Sequence, residues 1–423
     1  MLERLLHRFS VRVWQWLILA GGVVFRLAFF ARDGWEPILR GESVLVAISI
    51  VQKGTFANAF GENSGPTAHV MPLYPLFQAL LIRIFGTGPE ARFAVAFFSS
   101  SVACLAFALF PVLSKRAGLG LYTGVLGGLI GAFLPLNFFS QTEGSFETSY
   151  TFLSIVLLMS LWMKVWKDGK LTVGRAVLCG AAVAIAVLTS AVLIPVIACW
   201  LLLPFAVTIL PAGRRADWLR FVAVLAVTAG ILYAPWVIRN RIVLGHAVFT
   251  RTNLGLELLR SNNDFVVANA DTDIYMKAYQ DLGPFQNVDE RAKVLALGEV
   301  EYNAAKMQAA KDWISAHKRH FIALTLQRIR NFWFPSMARA WQTAGEILVT
   351  ILGFCGIAWG LRRPDRQLAI LSLTAAIVYP LPYYLLANNA RFRFPLEGVL
   401  IFWIGAWLIA LLSRSDEWKT PQR

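Results

Sequence analysis

The stretch RDGWEPILRGESVLVAISIVQKGTFANAFGENSGPTAHVMPLYPLFQALLIRIFGTGPEAR, residues 32–92, separates two long apolar runs, and one part of it decides the fold. Leu73–Phe85 is apolar enough to be taken for a membrane span. It runs for only 13 residues, follows Pro72 and contains Pro75, whereas a span needs about 20 residues. It reads as a short helix lying at the outer interface or dipping into it. If it crossed, every later connection would change sides.

Working outward from this point, the chain of 423 residues is 57% hydrophobic and only 15% charged, with a mean hydropathy of +0.57. Soluble domains carry roughly a quarter charged residues, so the composition is that of an all-α polytopic membrane protein. Ten spans are expected, at about 13–31, 92–113, 119–138, 147–166, 174–189, 191–210, 218–237, 343–361, 367–386 and 395–413. The fifth and sixth form one run, interrupted only by Thr189, Ser190 and Pro195. Arg4, Arg8 and Arg12 precede the first run, with no small-residue cleavage site after it, which reads as an uncleaved signal anchor.

Charge placement tests this map. With the N-terminus in the cytoplasm, the inner connections hold Lys115 and Arg116; Lys164, Lys167, Lys170 and Arg175; Arg214, Arg215 and Arg220; and Arg362, Arg363 and Arg366. All are short and basic, as the positive-inside rule requires, and the C-terminus is also cytoplasmic. Much of the +15 net charge therefore serves topology, and a nucleic-acid interface, which needs basic residues on one face, is not indicated. The organisation reads as residues 1–237, an N-terminal transmembrane catalytic module with a first outer loop at 32–91; 238–342, an extracytoplasmic region or small cap; and 343–423, the C-terminal transmembrane helices. The end of the cap, HKRHFIALTLQRIRNFWF, is amphipathic, basic and aromatic. Cys104, Cys179, Cys199 and Cys355 sit inside apolar runs without metal-ligand spacing.

The apolar runs are nearly free of charge, and the informative polar residues gather in three outer connections. These hold Glu42 with Asp33, Glu36 and His69; Glu143 and Glu147 in SQTEGSFETS; and Arg391 and Arg393 in NNARFRFP. A lipid-linked phosphate substrate would need this arrangement. A carboxylate can take a proton from an attacking hydroxyl, and arginines can hold a phosphate leaving group through charge-assisted forks. Arg92 and Arg239 at span ends join Arg391 and Arg393 as phosphate candidates. The plain alternative for each arginine is snorkelling to the headgroups, and for Glu42 a helix N-terminal charge. One histidine near carboxylates does not define a metal site.

In the order of these features the chain resembles the GT-C fold glycosyltransferases, in particular bacterial relatives of the protein O-mannosyltransferases and of the lipid A aminoarabinose transferase. The residues that carry the resemblance are Glu42 in the first outer loop, the run GPTAHVMPLYPLFQALLIRIFG opening an interfacial helix, and Arg92 at the second span. Ser140 with Glu147 seven positions later, PWVIRN (Pro235 to Asn240) and RFRFP (Arg391 to Pro395) complete the pattern. The resemblance implies a GT-C fold of about ten spans with interfacial helices in the first outer loop. It implies an inverting transfer of a sugar from a polyprenyl-phosphate donor to a hydroxyl of an envelope glycan, glycolipid or protein, at the outer face of a bacterial cytoplasmic (inner) membrane. Glu42 would be the base, standing where Asp is commoner. Glu147 would share the catalytic site, and His69, Arg92, Arg239, Arg391 and Arg393 would bind the donor. Some family members bind a divalent metal and others need none. The competing class is a transporter or flippase, which would place charged groups at mid-membrane and broken helices in matched halves.

Overall fold

A computed structural model describes residues 9–32, 39, 41–142, 144–206, 214–266, 280–337 and 339–417. Among them, seven helices are long and apolar enough to cross a membrane: α1 (Val11–Arg32), α4 (Pro89–Arg116), α7 (Thr148–Asp168), α10 (Arg215–Leu244), α15 (Ala340–Leu361), α16 (Gln367–Leu385) and α17 (Ala390–Glu417). The expected ten are not found. Three of them are shorter apolar helices instead: α5 (Leu121–Phe133), α8 (Val173–Thr189) and α9 (Leu193–Ala206). Local chemistry explains the shortening. Pro135 cannot continue α5, and the chain resumes as the brief α6 (Phe138–Thr142). Ser190 is extended, at φ −148° and ψ 107°, and separates α8 from α9.

The stretch that decides the fold has the expected length and bounds. Leu73–Phe85 is a single 13-residue helix, α3. It packs against α2 (Glu42–Lys53) through Val44, Ala47, Ala79 and Ile82, and the Ser43 hydroxyl donates to Gln78 across the pair. The basic connections meet at one end of the bundle: Lys167 pairs with Asp365 at 3.7 Å, Gly118 lies against both, and Arg214 donates to the Gly169 carbonyl. The long connections meet at the other end.

The bundle core is sealed by small residues. A Cβ on Gly353, Gly356 or Gly360 of α15 would come within 2.5 Å of Leu400 or Trp403 of α17, so the two helices lie in close contact, as small-residue faces permit in membranes. Broken helices expose carbonyls that lipid cannot satisfy. Arg26 of α1 fills this need for α5, donating to Gly131 O at 2.9 Å and Ala132 O at 2.5 Å, and to Gln141 Oε1 at 3.0 Å. Arg393 of α17 forms an ion pair with Glu346 of α15 and donates to Thr350 Oγ1 at 2.7 Å. Glu397 accepts from Asn137 at 3.2 Å. The few intramembrane charges are thus buried among protein partners.

Beyond α10, which continues through Pro235 to Leu244, the described residues of the stretch expected to lie outside the membrane form four helices: α11 (Leu254–Ser261), α12 (Val288–Leu297), α13 (Glu299–Ala316) and α14 (Lys318–Trp333). They pack on the first outer loop, with Phe60, Leu256, Val294 and Tyr302 forming a small core of their own. Arg328 of α14 donates to Asn262 Oδ1 at 3.0 Å and Leu385 O at 3.1 Å, tying this part to the end of α16.

Candidate active site

The site begins at the head of α2. Gly41 has φ +93°, a conformation that L side chains rarely adopt, and this turn starts the helix at Glu42. The carboxylate therefore sits at a helix N-terminus, where backbone amides favour a negative charge. After α2 the chain doubles back through an antiparallel bridge, Ala57 to Pro66, with Asn58 N–H donating to Gly65 O at 2.8 Å. That return brings the Gly-Pro-Thr-Ala-His turn to the head of α2. His69 is buried, 3% exposed, with its ring edge-on to Phe60 at 4.7 Å.

Electrostatics define who surrounds Glu42. Burial pushes its carboxyl up, but His69, its own backbone amide, Arg391 and Arg260 together hold it below the usual carboxylate range. It is ionised at neutral pH. Burial lowers His69 to about 4, aided by Arg251 and Arg260 and opposed by Glu42, so the imidazole is neutral. Its Nδ1 has no hydrogen-bond partner among the described residues. Burial raises Glu257, with Glu42 adding to the rise and Arg260 opposing it.

The remaining walls come from distant parts of the chain. Glu147, in the turn before α7, accepts from Arg251 Nη2 at 2.5 Å. Arg391, at the start of α17, lies over the Phe146 ring at 3.4 Å from its centroid. A Cβ on Gly41 would stand 3.8 Å from the same ring, so the head of α2 lies beside the 144–147 segment. Tyr74 and Gln78 of α3 both donate to the Gly144 carbonyl, Gln78 at 2.9 Å. Arg260 of α11 pairs with Glu257 at 3.2 Å.

Of the residues singled out from sequence, Glu42, His69, Glu147 and Arg391 come together. Arg239 lies behind them, donating to Thr67 O at 2.6 Å and Phe56 O at 2.5 Å and stacking on Phe56 and Trp236. It braces the first loop with both ends of its guanidinium. Arg393 points into the bundle towards Glu346. Arg92 opens α4, and no hydrogen bond or ion pair joins its side chain to the cluster residues named here. Asp33, Glu36 and Glu143 lie outside the described residues. Sequence reasoning missed Arg251, Arg260 and Glu257, in TRTNLGLELLRSNN. Their only signal was three charges in a turn-rich stretch just past a span, and nothing in it pointed to Glu42 some 210 positions away.

Among the described residues no three His, Cys, Asp or Glu side chains converge as a metal would require. The Glu147 carboxylate is already engaged by Arg251, Glu257 is paired with Arg260, and the groups that hold Glu42 ionised are His69, Arg391 and Arg260. These residues do not by themselves form a metal cage.

No protein-family model matches the chain, and no curated protein sequence does. Its fold is similar to that of solved structures of an oligosaccharyltransferase from Archaeoglobus fulgidus. One was determined tethered to an acceptor peptide containing the NVT sequon, with a TM-score of 0.58, 14% identity and coverage of 96% of this chain and 50% of that one. Another, of archaeal AglB in complex with an inhibitory peptide and a dolichol-phosphate, has a TM-score of 0.55, 13% identity and coverage of 97% and 52%. A third, in complex with Zn and sulfate, has a TM-score of 0.58, 14% identity and coverage of 94% and 49%. The present chain spans about half the length of that protein. The likeness shows the fold alone, an all-α polytopic membrane fold similar to that of the oligosaccharyltransferase.

Proposed function

We propose that the chain is an inverting, polyprenyl-phosphate-sugar-dependent glycosyltransferase with Glu42 as its base. The observation that carries this reading is an ionised carboxylate at a helix N-terminus, beside a neutral histidine and facing Arg260 and Arg391. It occurs in a fold similar to a protein solved with an acceptor peptide and, separately, with dolichol-phosphate. The acceptor hydroxyl oxygen attacks the anomeric carbon, and Glu42 takes its proton. The bond from that carbon to the phosphate oxygen breaks, and polyprenyl phosphate leaves with the electron pair. Arg260 and Arg391 stabilise the leaving charge. Arg251 holds Glu147 and adds positive potential on the same side.

The acceptor class is a hydroxyl of an envelope glycan, glycolipid or protein. The motif order supports kinship with the bacterial O-mannosyl- and aminoarabinosyltransferases. The short basic connections at one end of the bundle support a cytoplasmic location for that end and for both termini, with the site on the extracytoplasmic face. The test is transfer from radiolabelled polyprenyl-phospho-sugars in reconstituted vesicles. Product formation that Glu42→Gln abolishes is expected; substrate flux without a glycosyl product would mark a transporter or flippase instead.

A further inference from the structure

The turn that carries His69 is gripped from three sides. Glu299, the first residue of α13 and 5% exposed, accepts from the Ala68 amide at 2.7 Å through Oε1 and from the Thr67 hydroxyl at 2.5 Å through Oε2. The Thr252 hydroxyl also donates to Oε1. The Thr67 hydroxyl in turn accepts from the His69 amide at 2.9 Å. Thr252 N–H donates to Ala68 O at 3.2 Å, and Arg239 donates to Thr67 O at 2.6 Å. The Ala68 amide and carbonyl and the Thr67 hydroxyl and carbonyl are therefore all held by residues from other parts of the chain.

Burying a carboxylate costs free energy unless it is fully hydrogen-bonded, and a plain loop anchor could be made with apolar residues. This carboxylate accepts from Thr67, Ala68 and their neighbour Thr252. Its only route to the reacting groups is Thr67 Oγ1 and the His69 backbone. The imidazole, which interacts electrostatically with Glu42, has no hydrogen-bond partner at Nδ1 among the described residues.

We infer that Glu299 is a positioning residue of the extramembrane part, which through Thr67 and Ala68 sets the His69 ring beside Glu42 and so couples the docking of α11–α13 to the competence of the site. The inference rests on the glycosyltransferase reading for its activity readout, but its geometric readout is independent of it. A ring misplaced by about 1 Å costs on the order of 100-fold in turnover.

The experiment uses the full-length protein in nanodiscs and three variants, Glu299→Ala, Glu299→Gln and Thr67→Val. Diethylpyrocarbonate labelling, read by mass spectrometry, reports the exposure of His69 against the exposed His317 in the same molecule. In the wild type His69 is expected to be protected. In Glu299→Ala its labelling rises at least about 10-fold, and turnover falls about 100-fold with KM for the donor little changed. Thr67→Val, nearly isosteric, removes only the link, so its effect on kcat is not additive with that of Glu299→Gln. Protection of His69 in both Glu299 variants overturns the inference whatever happens to activity, as does wild-type kcat with a released ring. Release of His69 in an enzyme that never transfers sugar would instead leave the positioning intact and remove the glycosyltransferase reading.

Discussion

Two groups of charges lie within this molecule, and they differ in what they have left to give. In the bundle, Arg26, Arg393, Glu346 and Glu397 are each 1% exposed or less. Arg26 is consumed by helix-end carbonyls, Arg393 by Glu346, and Glu397 by Asn137. At the other end, Glu42 is crowded by His69, Arg260 and Arg391, while Glu147 and Glu257 are the carboxylates held in ion pairs by arginine side chains. The bundle charges are two and two. The outer group carries three arginines, Arg251, Arg260 and Arg391, with three carboxylates, of which Glu147 and Glu257 are the two in ion-pair contact with an arginine. Burial alone does not distinguish a site from a brace; the distinction is whether partners have been satisfied within the protein.

The comparison breaks most sharply at Glu42. Glu42→Gln is expected to lower transfer by about 10³-fold or more, with unchanged yield and thermal stability; near-normal rates in vesicles would remove it as the base. Arg393→Ala should do the opposite. Leaving Glu346 buried and unpaired costs about 3–5 kcal/mol, seen as a loss of folded protein in detergent, while Arg393→Met with Glu346→Leu recovers most of it. A loss of donor affinity at normal stability would move Arg393 into the site.

A third difference is pH. His69 is lowered from 6.5 to about 4 in the folded state, so the unfolded chain binds the extra proton between those values. Stability is therefore full above pH 6.5 and is lost as pH falls towards 4, by about 3 kcal/mol for this group. Glu42, held below its ordinary value, adds its own loss only at more acid pH. Melting curves of His69→Gln should be flatter than wild type across that window; an unchanged slope would mean the ring is solvated. Last, Arg391→Ala is expected to weaken donor use about 10-fold, one charge-assisted contact, with no change in melting. An equal loss of stability would class it with Arg393.

Arg391 and Arg393 show what a motif leaves undecided. Both stand in RFRFP and were grouped as phosphate candidates, yet residues two apart on a helix point about 200° away from each other. Arg391 faces Phe146, and Arg393 faces Glu346. The sequence carried the helix content, the two ends of the bundle and the shortness of α3, because hydropathy, proline and basic connections are local signals that the bilayer reads directly. It also pointed to Glu42, His69 and Glu147. It left unmarked which of the expected spans are short helices, since a hydropathy run does not show that the helices end before Pro135 and at Ser190. Which arginines surround Glu42, and that Glu299 reaches Thr67 and Ala68 from 231 positions and more away, followed only from the packing of the extramembrane helices on the first loop. Contacts between such distant residues are set by side-chain fit and by the need to pair buried polar groups, and neither leaves a periodic trace in the chain.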